Sequence, residues 1–199
     1  MRRRLQKYPA DFLAHYNLGA LEQSRGKLDE ALASYHAALR VEPDNVTARN
    51  SIATVLMSQD RLPEAISELR SILGREPDYL NARYNLARSL AASGDLGASA
   101  AEYRAFLKAK PDDGQAQAAL GTIYFKQQNV SNALACFRNA ASLSPDDADV
   151  QANLGTLLAI TGDLRGASQA FERALQLNPE HAAAKANLAR VRAQLASRN

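Results

Sequence analysis

Large apolar residues recur along this chain at steps of three and four, in blocks broken by short polar stretches. Ile52, Val55 and Leu56 form one such stripe, and Leu62, Ile66, Leu69 and Leu73 form the next. Residues three and four apart share one face of a helix, so the two stripes predict two amphipathic helices joined by a tight turn. The pattern then returns. Leu18, Ile52, Leu86, Leu120 and Leu154 stand at equivalent places, each 34 residues from the last. No stretch alternates apolar and polar residues as a half-buried strand would, so an all-α chain without a sheet is expected.

The prolines mark the same period. Pro9, Pro43, Pro77, Pro111, Pro145 and Pro179 are each 34 residues apart, and Pro63 alone is off the grid. A fixed period of this length is the mark of a repeat array. Frames ending two residues after each grid proline are 12–45, 46–79, 80–113, 114–147 and 148–181, with 1–11 before them and 182–199 after. Within a frame the first helix is expected over about positions 2–14 and the second over about 18–31. Gly26, Gly94 and Gly162 lie between them, where a left-handed residue ends a helix at little cost. The grid proline closes the second helix because it cannot continue the hydrogen-bond ladder. The Asp or Asn that follows (Asp44–Asn45, Asp112–Asp113, Asp146–Asp147) can cap the next helix. Pro63, at position 18, falls in a first turn, where proline is tolerated.

Two columns hold small residues where antiparallel helices would cross. Position 8 is Gly19, Ala53, Ala87, Gly121 and Gly155; position 20 is Ala31, Ala65, Ser99, Ala133 and Ala167. Position 24 is large: Tyr35, Leu69, Tyr103, Phe137 and Phe171. With these columns in place, "YNLGALEQSRGKLDEALASYHAALRVEPD" resembles a tetratricopeptide repeat (TPR), and the resemblance covers residues 12–181. It implies a right-handed superhelical α-solenoid of antiparallel helix pairs. The chain departs from the family at position 4, often Trp there but His15, Arg49, Arg83, Gln117 and Gln151 here. It departs again at position 27, where Ile72 and Phe106 replace Ala and are expected to shift the local packing angle.

The ends read differently. Residues 182–199 repeat the first-helix pattern, with Ala184, Leu188, Val191 and Leu195 on one stripe, and are expected to form a solvating cap. At the front, Leu5 and Pro9 occupy positions 28 and 32 of a frame that has no beginning. This points to a remnant of a preceding helix, with a helical stub over part of 2–8; a plain N-terminal extension is the alternative. Glu22, at an otherwise apolar position 11, suggests an exposed terminal repeat.

Composition narrows the function by exclusion. The net charge is +3, and Arg2, Arg3 and Arg4 account for it, so the repeats themselves are near neutral and a nucleic-acid partner is disfavoured. No run of about 18 apolar residues suggests membrane insertion, and no apolar segment follows the basic start as a secretory signal would require. The single cysteine, Cys136, cannot form an internal disulfide; this favours a cytoplasmic location, an exported one being open if a signal was removed upstream. His15, His36 and His181 fall at three different frame positions, so they form no repeated ligand set and no metal is expected. The paired glycines of "SGDLGASA" and "TGDLRGAS" lack phosphate-binding spacing. Neither a catalytic site nor a cofactor is indicated.

The resemblance implies that first helices line a concave groove through positions 2, 5, 6, 9, 12 and 13. Position 6 is Asn17, Ser51, Asn85, Ala119, Asn153 and Asn187. An Asn amide offers an acceptor and two donors, so it can grip the backbone of an extended peptide, or else bond between helices. The expected peptide-binding residues are Tyr16, Asn17, Asn50, Tyr84, Asn85, Arg88, Phe125, Lys126, Asn153 and Arg190, with Tyr84, Arg88, Phe125 and Lys126 forming a central patch suited to acidic groups. Tyr16 and Ala20 stand where a carboxylate clamp would need Lys and Asn, so that clamp is not supported. The expectation is a protein-interaction scaffold binding an extended segment of a partner. The alternatives are a structural region of a larger assembly, contacting partners by its ends or convex face, and RNA binding.

Overall fold

A computed structural model describes residues 10–197. Among these are eleven helices and no strand: α1 Phe12–Ser24, α2 Leu28–Val41, α3 Val46–Ser58, α4 Leu62–Arg75, α5 Leu80–Ala92, α6 Leu96–Ala109, α7 Gly114–Lys126, α8 Val130–Leu143, α9 Ala148–Ile160, α10 Leu164–Leu177 and α11 Ala182–Ala196. The expected stub over residues 2–8 lies outside the described residues. In all five frames the first helix covers positions 1–13 and the second 17–30, one residue earlier than read from sequence. The shift arises at position 34, whose residue is already the cap, so helical geometry begins at once after it.

Side-chain caps support most of the regular starts. Asp11, Asn45, Asp113 and Asp147 each accept the N–H three residues on, at 2.8–3.0 Å, satisfying a donor that has no partner in the first turn. His181 does the same with Nδ1, accepting from the Ala184 N–H at 3.2 Å. Among the second helices Asp95, Asn129 and Asp163 act likewise, whereas α2, α4 and the first helix α5 begin after Lys27, Arg61 and Tyr79 with no side-chain cap. The proline punctuation is a β-turn. The Asn45 N–H donates to the Glu42 carbonyl at 3.2 Å, with Pro43 at the second turn position that suits its fixed φ.

The turn after each first helix needs a left-handed residue in every frame, not only in the three that supply glycine. Gly26, Gly94 and Gly162 have φ of 73°, 90° and 87°; Asp60 and Gln128 occupy the same column with φ of 58° and 61°.

Position 4 has a job that sequence did not show. Arg49 and Arg83 donate to the carbonyls of Pro43 and Pro77, at 3.1 and 2.6 Å, and Gln117 and Gln151 to those of Pro111 and Pro145, both at 3.4 Å. The side chain thus ties α3, α5, α7 and α9 to the turns behind them. Arg49 and Arg83 also reach back to Glu68 and Glu102 on the following helix, at 3.1 and 2.8 Å.

The chain divides into two compact units, the first ending at Glu102 and the second beginning at Tyr103. In the first, Ala31, Tyr35, Ile52 and Leu56 form one buried cluster. Ala53, Leu69, Ile72, Ala82 and Leu86 form another, so Ile72 at position 27 is fully enclosed. In the second, Ala133, Phe137, Ala140, Val150 and Leu157 pack together, as do Ala167, Phe171, Ala174, Leu188 and Val191. The crossing column is tight in both. A Cβ placed on Gly19, Gly121 or Gly155 would stand 2.8 Å from the ring of Tyr35, Phe137 or Phe171. Ala53, by contrast, shares its cluster with the smaller Leu69. Glu22 is buried, not exposed as expected. Its carboxylate accepts the Ser34 hydroxyl at 2.6 Å, which is how an acid is tolerated at an apolar position.

Candidate peptide-binding surface

The two units treat their first helices differently. In the first unit, neighbouring first helices are joined by polar side chains. The Tyr16 hydroxyl meets Ser51 Oγ at 3.2 Å, Gln23 Nε2 donates to Thr54 Oγ1 at 3.3 Å, and Asn85 Nδ2 donates to Asn50 Oδ1 at 3.1 Å. In the first and last of these, position 5 of one frame bonds position 6 of the next, and Gln23 adds a bond from position 12 to position 9. Tyr16 is committed further: its ring stacks on Phe12 with centroids 5.8 Å apart and tilts against Tyr35 at 5.5 Å. Burial pushes the Tyr35 hydroxyl up to about 12, and this hydroxyl donates to Gln23 at 2.8 Å. Asn17 is exposed and Tyr84 half-buried on α1 and α5. Arg88 borders a polar cleft of about 370 Å³ together with Gln23, Thr54, Met57 and Asp60.

In the second unit the same bond cannot form, because position 5 is Ala118 in frame four and Ala152 in frame five. Among the described residues no side-chain hydrogen bond links α7 with α9. The α9–α11 pair has only the bond from His181 Nε2 to Asp149, at 3.1 Å near the helix starts. Thr122 and Thr156 turn their hydroxyls back onto the Ala118 and Ala152 carbonyls of their own helices, at 3.1 and 3.0 Å. Asn153 and Asn187 are left facing open clefts.

Those clefts adjoin. A slot of about 130 Å³ is walled by Thr122, Phe125, Phe137, Asn153, Thr156 and Leu157. A second cleft of about 240 Å³ shares Thr156 and continues past Ile160, Asn187, Arg190 and Gln194. Phe125 and Ile160 are 44% and 53% exposed, more than large apolar side chains need be in a closed core. Three expected residues, Phe125, Asn153 and Arg190, therefore line one continuous surface, and Lys126 ends α7 beside Phe125. The expected central patch divides between the units: Tyr84 and Arg88 belong to the first, Phe125 and Lys126 to the second.

Ile160 and Gln194 were missed. Both stand at position 13, Ile160 in frame five and Gln194 in the cap helix that continues the frame, so the column that contains Lys126 marks each of them as a groove residue. Cys136 is buried, and that burial pushes its thiol up to about 11, which makes it a poor nucleophile. No cluster of three or more metal-ligating side chains occurs among the described residues, and none of their helices is long and apolar enough to cross a membrane.

Paired helices in 34-residue steps, with small crossing residues and a proline turn, define an α-helical repeat array. The sequence matches the tetratricopeptide repeat family over residues 16–79, 53–114 and 84–148, and again over 148–181. This chain belongs to that family, whose members are generally non-enzymatic interaction scaffolds. Solved structures share the fold at low identity. PilW, a widely conserved type IV pilus biogenesis factor, is 22% identical with a TM-score of 0.81, covering 94% of this chain and 87% of its own. YrrB, a TPR protein with an unusual peptide-binding site, is 20% identical with a TM-score of 0.74 over 92% and 94%. MamA from Desulfovibrio magneticus RS-1 is 19% identical with a TM-score of 0.79 over 86% and 97%. A comparison with curated protein sequences finds no match.

Proposed function

We propose that this chain is an interaction scaffold whose second unit holds an extended segment of a partner protein along α7, α9 and α11. One observation carries the reading: Asn153 and Asn187 face adjoining clefts with no side chain of the neighbouring first helix to occupy their amides. Each amide can donate to and accept from a peptide backbone, which gives hold without demanding a particular ligand sequence. Phe125 and Ile160 supply the apolar contact that amides lack, and Arg190 supplies charge.

The test uses the whole chain as bait. A partner captured from cell extract and identified by mass spectrometry is titrated calorimetrically against variants. Phe125→Ala should weaken it about 30-fold and Asn153→Ala by less, while Arg173→Ala on α10 leaves it unchanged. If Arg173→Ala hurts and the other two do not, binding lies on the outer surface or an end of the chain. A second reading, contact through the first repeat, draws support from Leu13 and Leu21 on α1, which are 61% and 38% exposed.

A further inference from the structure

We infer that the segment bound by the second unit carries one medium-sized apolar side chain and, about three residues away, an acidic one. The inference rests on the groove reading above and adds the chemistry of the ligand.

The slot beside Phe125 sets the first element. Its walls include Phe137 and Leu157, and the Thr122 and Thr156 hydroxyls are already bonded to their own helices. Little hydrogen-bonding capacity remains there beyond the Asn153 amide. At about 130 Å³ the slot is near the size of a dry cavity of about 150 Å³ that accepts benzene. Leu, Met or Phe would fit; a charged side chain would lose its water without gaining a partner.

Charge sets the second element. Helices α7, α9 and α11 carry Lys126, Lys185, Arg190 and Arg192 against one acid, Asp149. Asp149 is occupied by His181, whose Nδ1 accepts the Ala184 N–H and whose Nε2 is therefore the donor. Lys185 and Arg192 pair with Glu180 and Glu172. Lys126 and Arg190 have no such partner among the described residues, and Arg190 borders the second cleft. That cleft is complementary to a carboxylate and repels a lysine.

Geometry sets the spacing. The slot lies between α7 and α9, and the cleft between α9 and α11. Packed helices stand about 8–10 Å apart, and a segment in the extended polyproline II conformation advances about 3.1 Å per residue and returns its side chains to the same face every third residue. One step from slot to cleft is about three residues, with Asn153 placed to hold the backbone near the slot.

The probe is a set of fluorescent ten-residue peptides, capped at both ends, with Leu and Glu separated by one to five positions in either order on an Ala/Ser/Gly background. Anisotropy against the full chain should be tightest near a separation of three. Replacing Glu by Lys should cost about tenfold or more. Arg190→Glu should weaken the Glu peptide and strengthen the Lys peptide, with the melting temperature unchanged because Arg190 is exposed. Affinity independent of separation, or an Arg190→Glu change that moves both peptides the same way, overturns the pattern and leaves the groove standing. If no peptide binds at any separation and Phe125→Ala does not affect the captured partner, the pattern and the groove fall together.

Discussion

Tyr16 meets Ser51 and Asn85 meets Asn50 in the first unit, whereas in the second the matching columns set Ala118 with Asn153 and Ala152 with Asn187. The backbone repeat is the same. The difference lies at position 5, and it decides whether the following frame's position 6 is a brace or an open amide. In the first unit the first helices spend their polar groups on one another, and Tyr16 adds two aromatic contacts. In the second unit the position-6 amides and an exposed Phe125 are left over. A repeat family can therefore keep one column for two purposes, and its neighbour column selects between them.

The largest expected effect tests what the units share. Gly121 lies under the Phe137 ring with no space for a Cβ, and Gly19 and Gly155 do the same under theirs. Gly121→Leu should destabilise the chain by about 3 kcal/mol or more, at the upper end of overpacking costs, as read from denaturant unfolding. Arg138→Leu, on an exposed position of α8, should change it by less than about 0.5 kcal/mol. Equal midpoints for the two variants would show that the crossing column is misplaced.

The next effect separates the units. Tyr16→Ala removes a stacked contact, a tilted one and the bond to Ser51, so it should lower unfolding stability by about 2–4 kcal/mol. Phe125→Ala removes a half-open ring and should leave stability within about 1 kcal/mol while weakening the partner by about 2 kcal/mol. If both variants act alike on stability and on binding, the contrast between a braced and an open surface is wrong.

A smaller effect converts one surface into the other. Ala118→Asn places at position 5 of frame four the residue that Asn50 provides in frame two. The new amide should engage Asn153 as Asn50 engages Asn85. Partner affinity should fall about tenfold, or about 1.4 kcal/mol, with helical content and melting temperature retained. Calorimetry on Ala118→Asn beside Ala118→Ser, whose hydroxyl is too short to reach, isolates the bond from the added polarity at this position.

Much of this is legible in the sequence. The 34-residue period fixed the helix pairs because hydrophobic spacing, glycine and proline all signalled the same boundaries, and such agreement between levels is what specifies a fold. What was not legible depends on contacts between helices. That Arg49 and Gln151 hold the preceding prolines' carbonyls, or that His181 is a cap bonded to Asp149, follows only when the turn is folded back. Glu22 looked solvated because its partner, Ser34, lies on the next helix. For the site, the column numbers named Phe125, Asn153 and Arg190. They could not tell Asn85 from Asn153, because that distinction needs the register between adjacent first helices.

The smallest effect concerns the turn column, where each unit has one frame without glycine. Gln128 has φ of 61° and Asp60 has φ of 58°. A side chain in this left-handed region costs about 1–2 kcal/mol relative to the ordinary helical one, and Asp tolerates it better than Gln because its short carboxylate can bond locally. Gln128 is exposed and in no side-chain hydrogen bond among the described residues, so removing its side chain forfeits little. Glycine also enlarges the freedom of the unfolded chain, which offsets about 0.4–1 kcal/mol of the gain. Gln128→Gly should therefore stabilise the chain by about 0.5 kcal/mol, and Asp60→Gly should come out near zero. Chemical denaturation resolves the pair, since the slope of the transition should not change while its midpoint rises for Gln128→Gly alone. A lower midpoint for Gln128→Gly would mean that the glutamine side chain holds the turn through a contact stronger than the strain it carries.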